Sequence, residues 1–326
     1  MKATNCPVCS SVETEIRFIN LGKYNIVKCN KCTYHFTLPV PTTEELDQYY
    51  KAQSIFFVGS GVDTFEGYLL NPLPYRERYL NRVKRLKEFK STGQLLDIGC
   101  AGGIFLDCAR DSGFTVEGVE PSETGIELCK KLGLSVQKGF FLNMKFDSQY
   151  DIITMYDVLE HTLYPKEEVS KVYSMLKPEG IFVITLPNID SLLARLHGSK
   201  WDMIGFPEHL NYFTPKSLSL LLKNNGFEIL SVRTFNGEPN YTILVLIKGV
   251  LRAMGFFSDK KTAVNNADSS AQTNSNNPPL PIPLWKQSIK KSLILLRPLI
   301  YLLPIFNVGE GLEIIAQKAN HNGKVN

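Results

Sequence analysis

Leu95-Leu96-Asp97-Ile98-Gly99-Cys100-Ala101-Gly102-Gly103-Ile104-Phe105-Leu106 is the stretch on which the fold turns. An apolar strand ends in an acid, and a turn of small residues opens directly into a helix. Small side chains let a ligand approach the backbone there, and the free amides of the helix start face it. A dinucleotide fold would show Gly-x-Gly-x-x-Gly with a pyrophosphate at the helix N-terminus. That spacing is missing, and the acid before the first glycine suits a ligand that ends in a cationic amino group. Val119-Glu120-Pro121-Ser122 then puts a second acid at the tip of the following strand. It lies about 20 residues on, the length of a strand–helix–strand unit, where a carboxylate can accept both hydroxyls of a ribose.

Outward from this unit, short apolar runs alternate with amphipathic ones. Strands are expected over 94–98, 115–119, 135–138, 150–155, 181–186, 227–233 and 312–317. Helices are expected over 74–90, 103–112, 166–176 and 215–225, with one more capped by Ser122 and stopped by Gly133. Such alternation predicts an α/β protein with a doubly wound, Rossmann-like sheet of seven mostly parallel strands. Arg76, Arg78, Arg82, Lys84, Arg85 and Lys87 spread round the polar faces of the first helix and read as a solvated surface.

Cys6-x2-Cys9 and Cys29-x2-Cys32, with nineteen residues between the pairs, form the second strong pattern. Two such pairs close a tetrahedral four-thiolate site, the pattern of a structural Zn2+. A small zinc-ribbon-like module is therefore expected over 1–40, and a connector broken by Pro and Gly over 41–72. A core over 73–239 follows, then an insertion over 240–308, and the last strand and tail over 309–326. Cys100, Cys108 and Cys129 read as packing residues. The cysteine pairs favour metal binding in a reducing compartment, which points to the cytoplasm.

The insertion has a polar middle, 262–279, between two apolar flanks punctuated by Lys248, Arg252, Lys290, Lys291 and Arg297. Neither flank makes the unbroken run of about 20 apolar residues that a bilayer span needs. Two readings stay open: a helical lid over the site, or peripheral contact with the inner face of the membrane. A hydrophobic fraction of 44%, a charged fraction of 21% and a net charge of +4 are those of a soluble globular chain. They carry no strong basic excess of the kind that marks a nucleic-acid surface.

With these residues in view, the stretch from about Pro74 to Asn236 resembles the class I methyltransferases. It is most similar to the bacterial group with Asp-Val-Leu-Glu-His after the fourth strand, here Asp157-Val158-Leu159-Glu160-His161. The resemblance implies S-adenosylmethionine as cofactor. Asp97, Gly99, Ala101 and Gly103 would surround its methionine part, with Ala101 in place of the group's usual middle glycine. Glu120 would hold the ribose, and Tyr156 and Asp157 would lie near the sulfonium. The acid common after the third strand is replaced by Gly139-Phe140-Phe141, which leaves the adenine to the backbone and ring of Phe140 or Phe141.

His161, at the carboxyl edge of the fourth strand, and His209, in Pro207-Glu208-His209-Leu210-Asn211-Tyr212-Phe213, are the candidate catalytic bases. Trp201, Tyr212 and Phe213 could wall an acceptor pocket. The leading expectation is methylation of a hydroxyl or carbon of a small-molecule acceptor: a sugar, a polysaccharide precursor or a lipid-linked metabolite. Two others stand beside it: an RNA methyltransferase whose zinc module grips the RNA, and a non-catalytic cofactor-binding scaffold.

Overall fold

The computed structural model describes residues 5–21, 23–46, 72–205, 207–236, 242–243, 245–247, 304–306 and 308–319. Most of the connector and most of the insertion, including the greater part of both apolar flanks, lie outside the described residues, as does Phe206.

Two sheets organise the chain. The first holds β1 (Thr14–Leu21), β2 (Tyr24–Cys29) and β3 (His35–Leu38). The second has seven strands: β4 (Gln94–Ile98), β5 (Thr115–Glu120), β6 (Val136–Lys138), β7 (Tyr150–Tyr156), β8 (Leu176–Pro187), β10 (Phe227–Phe235) and β11 (Gly311–Lys318). Its order is β10-β11-β8-β7-β4-β5-β6, with β11 antiparallel to both neighbours and the pairs from β8 to β6 all parallel. The doubly wound sheet expected from the sequence is what forms. Ile181 to Leu186 of β8 are all buried, as a central strand covered on both faces must be.

The helices are α1 (Pro72–Lys87), α2 (Ile104–Asp111), α3 (Glu123–Lys131), α4 (Pro165–Met175), α5 (Leu192–His197) and α6 (Pro215–Asn224). Local chemistry sets several ends. The Ser122 side chain accepts the Gly125 N–H at the start of α3. Thr214 opens α6 with a reciprocal box, in which its hydroxyl takes the Ser217 N–H and its own N–H donates to Ser217 Oγ. Such a cap contributes about 1 kcal/mol.

The chain leaves β4 outward to β5 and β6, then crosses back to β7 on the other side. Where the order reverses, the carboxyl ends of adjacent strands diverge and leave the crevice in which such sheets bind ligands. Asp97, Glu120, Tyr156 and Asp157 all stand at those carboxyl ends.

The cysteine sheet is completed by the core. Its fourth strand, β9 (Asn211–Tyr212), pairs antiparallel with β3, setting His35 opposite Tyr212 and Phe36 opposite Asn211. Cys6, Val8, Cys29, Cys32, Tyr34 and Phe36 share one buried apolar cluster with Leu96, Phe213 and Leu218. Thr33 Oγ1 lies 2.8 Å from Thr214 Oγ1, so the module also touches the cap of α6.

The basic helix departs from its expected role as a solvated face. Arg76 pairs with Asp107 and Asp111, Arg85 with Glu313, and Arg82 with Asp157 at 3.3 Å. The guanidinium of Arg82 also sits 4.3 Å from the centroid of the Tyr156 ring. Periodicity counts charges on a helix, but only tertiary packing shows which ones have partners on the sheet.

Candidate active site

The glycine turn is shaped by sterics. Gly99 has φ +71°, and a Cβ on it would come within 2.5 Å of Val158 Cγ2. The backbone there lies against the turn after β7 with no room for a side chain. Ala101 also holds a positive φ of 53°. That conformation is what the glycine usual at this place would adopt without cost, and it costs an L-residue about 1–2 kcal/mol.

Asp97 is 3% exposed and accepts a hydrogen bond from Thr154 Oγ1 at 2.6 Å. Burial pushes its carboxyl up to about 7 against the opposing pull of the Thr154 hydroxyl and Arg82, and Glu120 adds to the rise. Glu120 is buried too, and its carboxyl is raised by that burial. Its two oxygens take the Ser122 and Ala101 N–H groups, each at 2.9 Å. Those amides fix the carboxylate and leave lone pairs on both oxygens for a pair of hydroxyls. The residues therefore fit a ligand with a cationic end and a ribose.

A pH dependence follows. A carboxylate that holds an ammonium must be ionised, and burial raises that of Asp97 to about 7 in the free protein. Affinity for S-adenosylmethionine should fall toward tenfold per unit below that pH, and also above about pH 8, where an α-amino group loses its proton. Calorimetric titrations at pH 6.0, 7.5 and 9.0 would trace this maximum; a flat profile would contradict it.

Phe141 is buried at the rim after β6, whereas the Phe140 ring is 54% exposed. Of the two phenylalanines expected near the adenine, Phe140 has the ring free to stack. Asp157 occupies a left-handed conformation, φ +60°, held by its N–H to the Thr185 carbonyl at 2.9 Å and by Thr185 Oγ1 to its Oδ1 at 3.1 Å. The Tyr156 hydroxyl is pushed up by burial.

The two histidines, 48 residues apart in sequence, meet. Their ring centroids are 4.7 Å apart and the planes cross at 70°. His161 Nδ1 lies 2.8 Å from the Glu208 carbonyl, and His209 Nδ1 lies 2.8 Å from the Met203 carbonyl. Carbonyls only accept, so both Nδ1 atoms carry hydrogen and each Nε2 offers a lone pair. Burial lowers both imidazoles, His161 to about 4. Beside them lies Glu160, 2% exposed, its carboxyl raised well above the usual range by burial and by Asp157.

One buried side chain ties this pair to the cysteine module. The Tyr34 hydroxyl donates to Asn211 Oδ1, while Asn211 Nδ2 donates to the Thr162 and Leu159 carbonyls at 2.6 and 3.2 Å. Leu210 N–H donates to the Glu160 carbonyl at 2.8 Å, and its own carbonyl accepts the Thr37 N–H at 3.1 Å. The turn carrying His161 and the loop carrying His209 are thus both fastened to β3.

Trp201, Tyr212 and Phe213, expected as walls of an acceptor pocket, are all buried, and the Tyr212 hydroxyl donates to the His209 carbonyl at 2.9 Å. Phe213 is fully buried with its ring 4.9 Å from that of Tyr34, and Trp201 packs with Ile26, Leu193 and Val245. The sequence reading also gave no role to Thr154, Glu160 and Asn211, and it read Arg82 as solvated surface. Glu160 and Asn211 stand inside the two quoted histidine motifs, so their position was a signal; Thr154 and Arg82 gave none.

A protein-family profile described as a methyltransferase domain matches residues 74–232, the span that builds this crevice. The chain is an S-adenosylmethionine-dependent methyltransferase. It is 26% identical over 174 residues to a ubiquinone biosynthesis O-methyltransferase of Saccharophagus degradans, covering 49% of this chain and 71% of that one. Against the protein of the same description from Coxiella burnetii, identity is 25% over 185 residues, covering 53% and 76%. Among solved structures, the complex between the Haloferax volcanii Trm112 methyltransferase activator and a methyltransferase contains a similar chain. That one aligns with a TM-score of 0.50 at 12% identity, over 85% of this chain and 99% of that one, and shares the fold.

In this methyltransferase two clusters of donor atoms could hold a metal: Cys6, Cys9, Cys29 and Cys32, and Glu160, His161 and His209. Among the described residues, no helix is long and apolar enough to cross a membrane.

Proposed function

We propose that the enzyme transfers a methyl group to a hydroxyl oxygen of a small-molecule acceptor, with His161 and His209 at the acceptor end of the crevice. The observation that carries this reading is the pair of imidazoles in ring contact, each with Nδ1 held by a backbone carbonyl and Nε2 left to act as the base. Bound S-adenosylmethionine supplies a methyl carbon already activated by a sulfonium. Asp97 receives its amino group, the amides around Gly99 and Ala101 line its methionine part, and Glu120 takes the ribose hydroxyls. Phe140 offers a face to the adenine, and Tyr156 and Asp157 flank the sulfonium end. What remains for the protein is to align the acceptor oxygen and accommodate loss of its proton, and the free Nε2 atoms suit that task.

Oxygen is favoured over carbon as the methylated atom by the O-methyltransferase relatives. A sugar or lipid-linked hydroxyl stays our preferred acceptor class, and the apolar flanks of the insertion suit a greasy one.

We also assign a structural Zn2+ to the cysteine cluster. Cys6 and Cys32 sulfurs are 3.6 Å apart and Cys9 and Cys29 sulfurs 3.5 Å. Tetrahedral Zn–S bonds of about 2.3 Å require sulfur edges of about 3.8 Å, so the donor set fits.

The test is transfer of a labelled methyl group to a panel of sugar, phenolic and prenylated hydroxyl acceptors. His209→Ala should cut turnover about 100-fold or more, the scale of lost acid–base catalysis, with S-adenosylmethionine affinity unchanged. Equal turnover by wild type and variant would sink this assignment.

A further inference from the structure

The loop after β6 carries no acid, yet it is held in shape by a cation from another element. Gly139-Phe140-Phe141-Leu142-Asn143-Met144 leaves β6 with the Gly139 N–H on the Glu120 carbonyl at 3.1 Å, then closes a 3-10 turn over Phe141–Asn143. Lys171 of α4 grips that turn. Its Nζ donates to the carbonyls of Phe141, Leu142 and Met144, the second at 3.2 Å. The same nitrogen lies 4.6 Å from the centroid of the Phe141 ring and 5.2 Å from that of Phe146.

Carbonyl oxygens that converge on one point repel each other, and a cation between them turns the arrangement into an attraction. A lysine ammonium has three donors, one for each of these carbonyls. Burial draws the Lys171 ammonium below the usual lysine range, so carbonyls and ring faces stand in for the water it has lost. The turn therefore owes its shape to this side chain. Its internal bonds run from the Asn143 and Met144 N–H groups to the Phe140 and Phe141 carbonyls, at 3.0 and 3.2 Å. Phe141 and Leu142 come first in the turn, so their N–H groups have no partner within it. In a trans peptide the N–H points opposite to the C=O. With the Phe141 carbonyl on Lys171, the Leu142 N–H is directed away from the lysine.

We infer that Lys171 is the positioning residue of the adenine end, holding the 141–144 turn so that the Leu142 N–H meets ring nitrogen N1 of the base. This rests on the placement of the adenine beside Phe140 in the functional reading. It makes Lys171 a determinant of specificity for adenine over a 6-oxopurine. Adenine presents a bare N1 that accepts a hydrogen bond, whereas the 6-oxo base carries a hydrogen on that atom and sets N–H against N–H.

The experiment titrates the full, zinc-loaded chain calorimetrically with S-adenosylhomocysteine and with S-inosylhomocysteine, which differs only in its 6-oxo base. Wild type should prefer the adenine ligand about 30-fold, the scale of leaving a polar pair unmatched. Lys171→Met keeps the length of the side chain and removes its charge. It should weaken S-adenosylhomocysteine about tenfold and leave S-inosylhomocysteine nearly unchanged, so the preference falls to about threefold. Lys171→Arg restores a cation with several donors and should recover most of the preference. Lys171→Gln, uncharged and with two donors, carries the same comparison should Lys171→Met fail to fold; zinc content and melting curves report folding. Loss of both ligands in equal measure would make Lys171 a structural residue only. That result, an unchanged preference in the uncharged variants, or a wild type that binds both ligands equally would overturn the inference. Phe140→Ala tells its failure from that of the functional reading, since lost stacking should weaken S-adenosylhomocysteine about tenfold. No effect of Phe140→Ala would remove the adenine from this loop, whereas an effect there beside full preference in Lys171→Met would remove only the role of Lys171.

Discussion

Cys32→Ser should leave a protein that still binds S-adenosylmethionine, within a few-fold, but has lost methyl transfer by about 100-fold or more. A module of some 40 residues has too little core to fold alone, and small metal modules take their folding free energy from the metal. Loss of one of four thiolates opens the site and loosens β1 to β3. The consequence passes to β9, whose strand partner is β3, and through Tyr34 and Thr37 to Asn211 and Leu210. The histidines then lose their mutual placement. The cofactor acids do not, because Asp97 and Glu120 stand on β4 and β5, held by Thr154, Ala101 and Ser122. Zinc content, titration with S-adenosylmethionine and turnover, measured on one preparation, check the split. Turnover that survives full loss of the metal would show that the module is unconnected to the acceptor end.

Asn211→Leu is expected to act the same way without touching the metal. Asn211 is 5% exposed and uses both ends of its amide, one toward Tyr34 and one toward the 159–162 turn. Leucine fills the volume but leaves the Tyr34 hydroxyl and the Thr162 carbonyl buried and unpaired. At about 1–3 kcal/mol for each of the two stranded groups, the loss comes to about 2–6 kcal/mol. At about 2–4 °C per kcal/mol for a unit of this size, that is a drop in melting temperature of about 4–24 °C. At a temperature where the variant is folded, kcat should fall about tenfold or more with cofactor affinity unchanged. Tyr34→Phe removes only one donor and should cost about 1 kcal/mol. A variant as stable and active as wild type would mean that the amide does not place the turn.

The path from residues to fold was legible wherever the signal was local. Asp97-Ile98-Gly99 announces a strand tip, Ser122 and Thr214 announce helix starts, and the unbroken run Ile181 to Leu186 announces a central strand. Each is decided by neighbours along the chain. What stayed hidden was decided by neighbours across it. Tyr34 and Asn211 are 177 positions apart, and no periodicity links them. The partner of β3 is a strand of two residues, too short to leave a pattern. His161 and His209 could each be picked out from its motif, but their contact depends on how the turn after β7 and the loop before β9 are pinned together. The basic residues of α1 show the converse error: a charge count suggested solvent, while Arg82 stacks on Tyr156 beneath Asp157.

The measurement that bears most directly on the account is calorimetric titration of the zinc-loaded protein with S-adenosylmethionine at pH 7.5, wild type beside Glu120→Ala. The account predicts saturable one-to-one binding by wild type and a loss of about 30-fold or more in the variant, the scale of removing a charged hydrogen-bond acceptor from a buried site. A folded wild type that binds no S-adenosylmethionine, or a variant that binds as tightly, would contradict it.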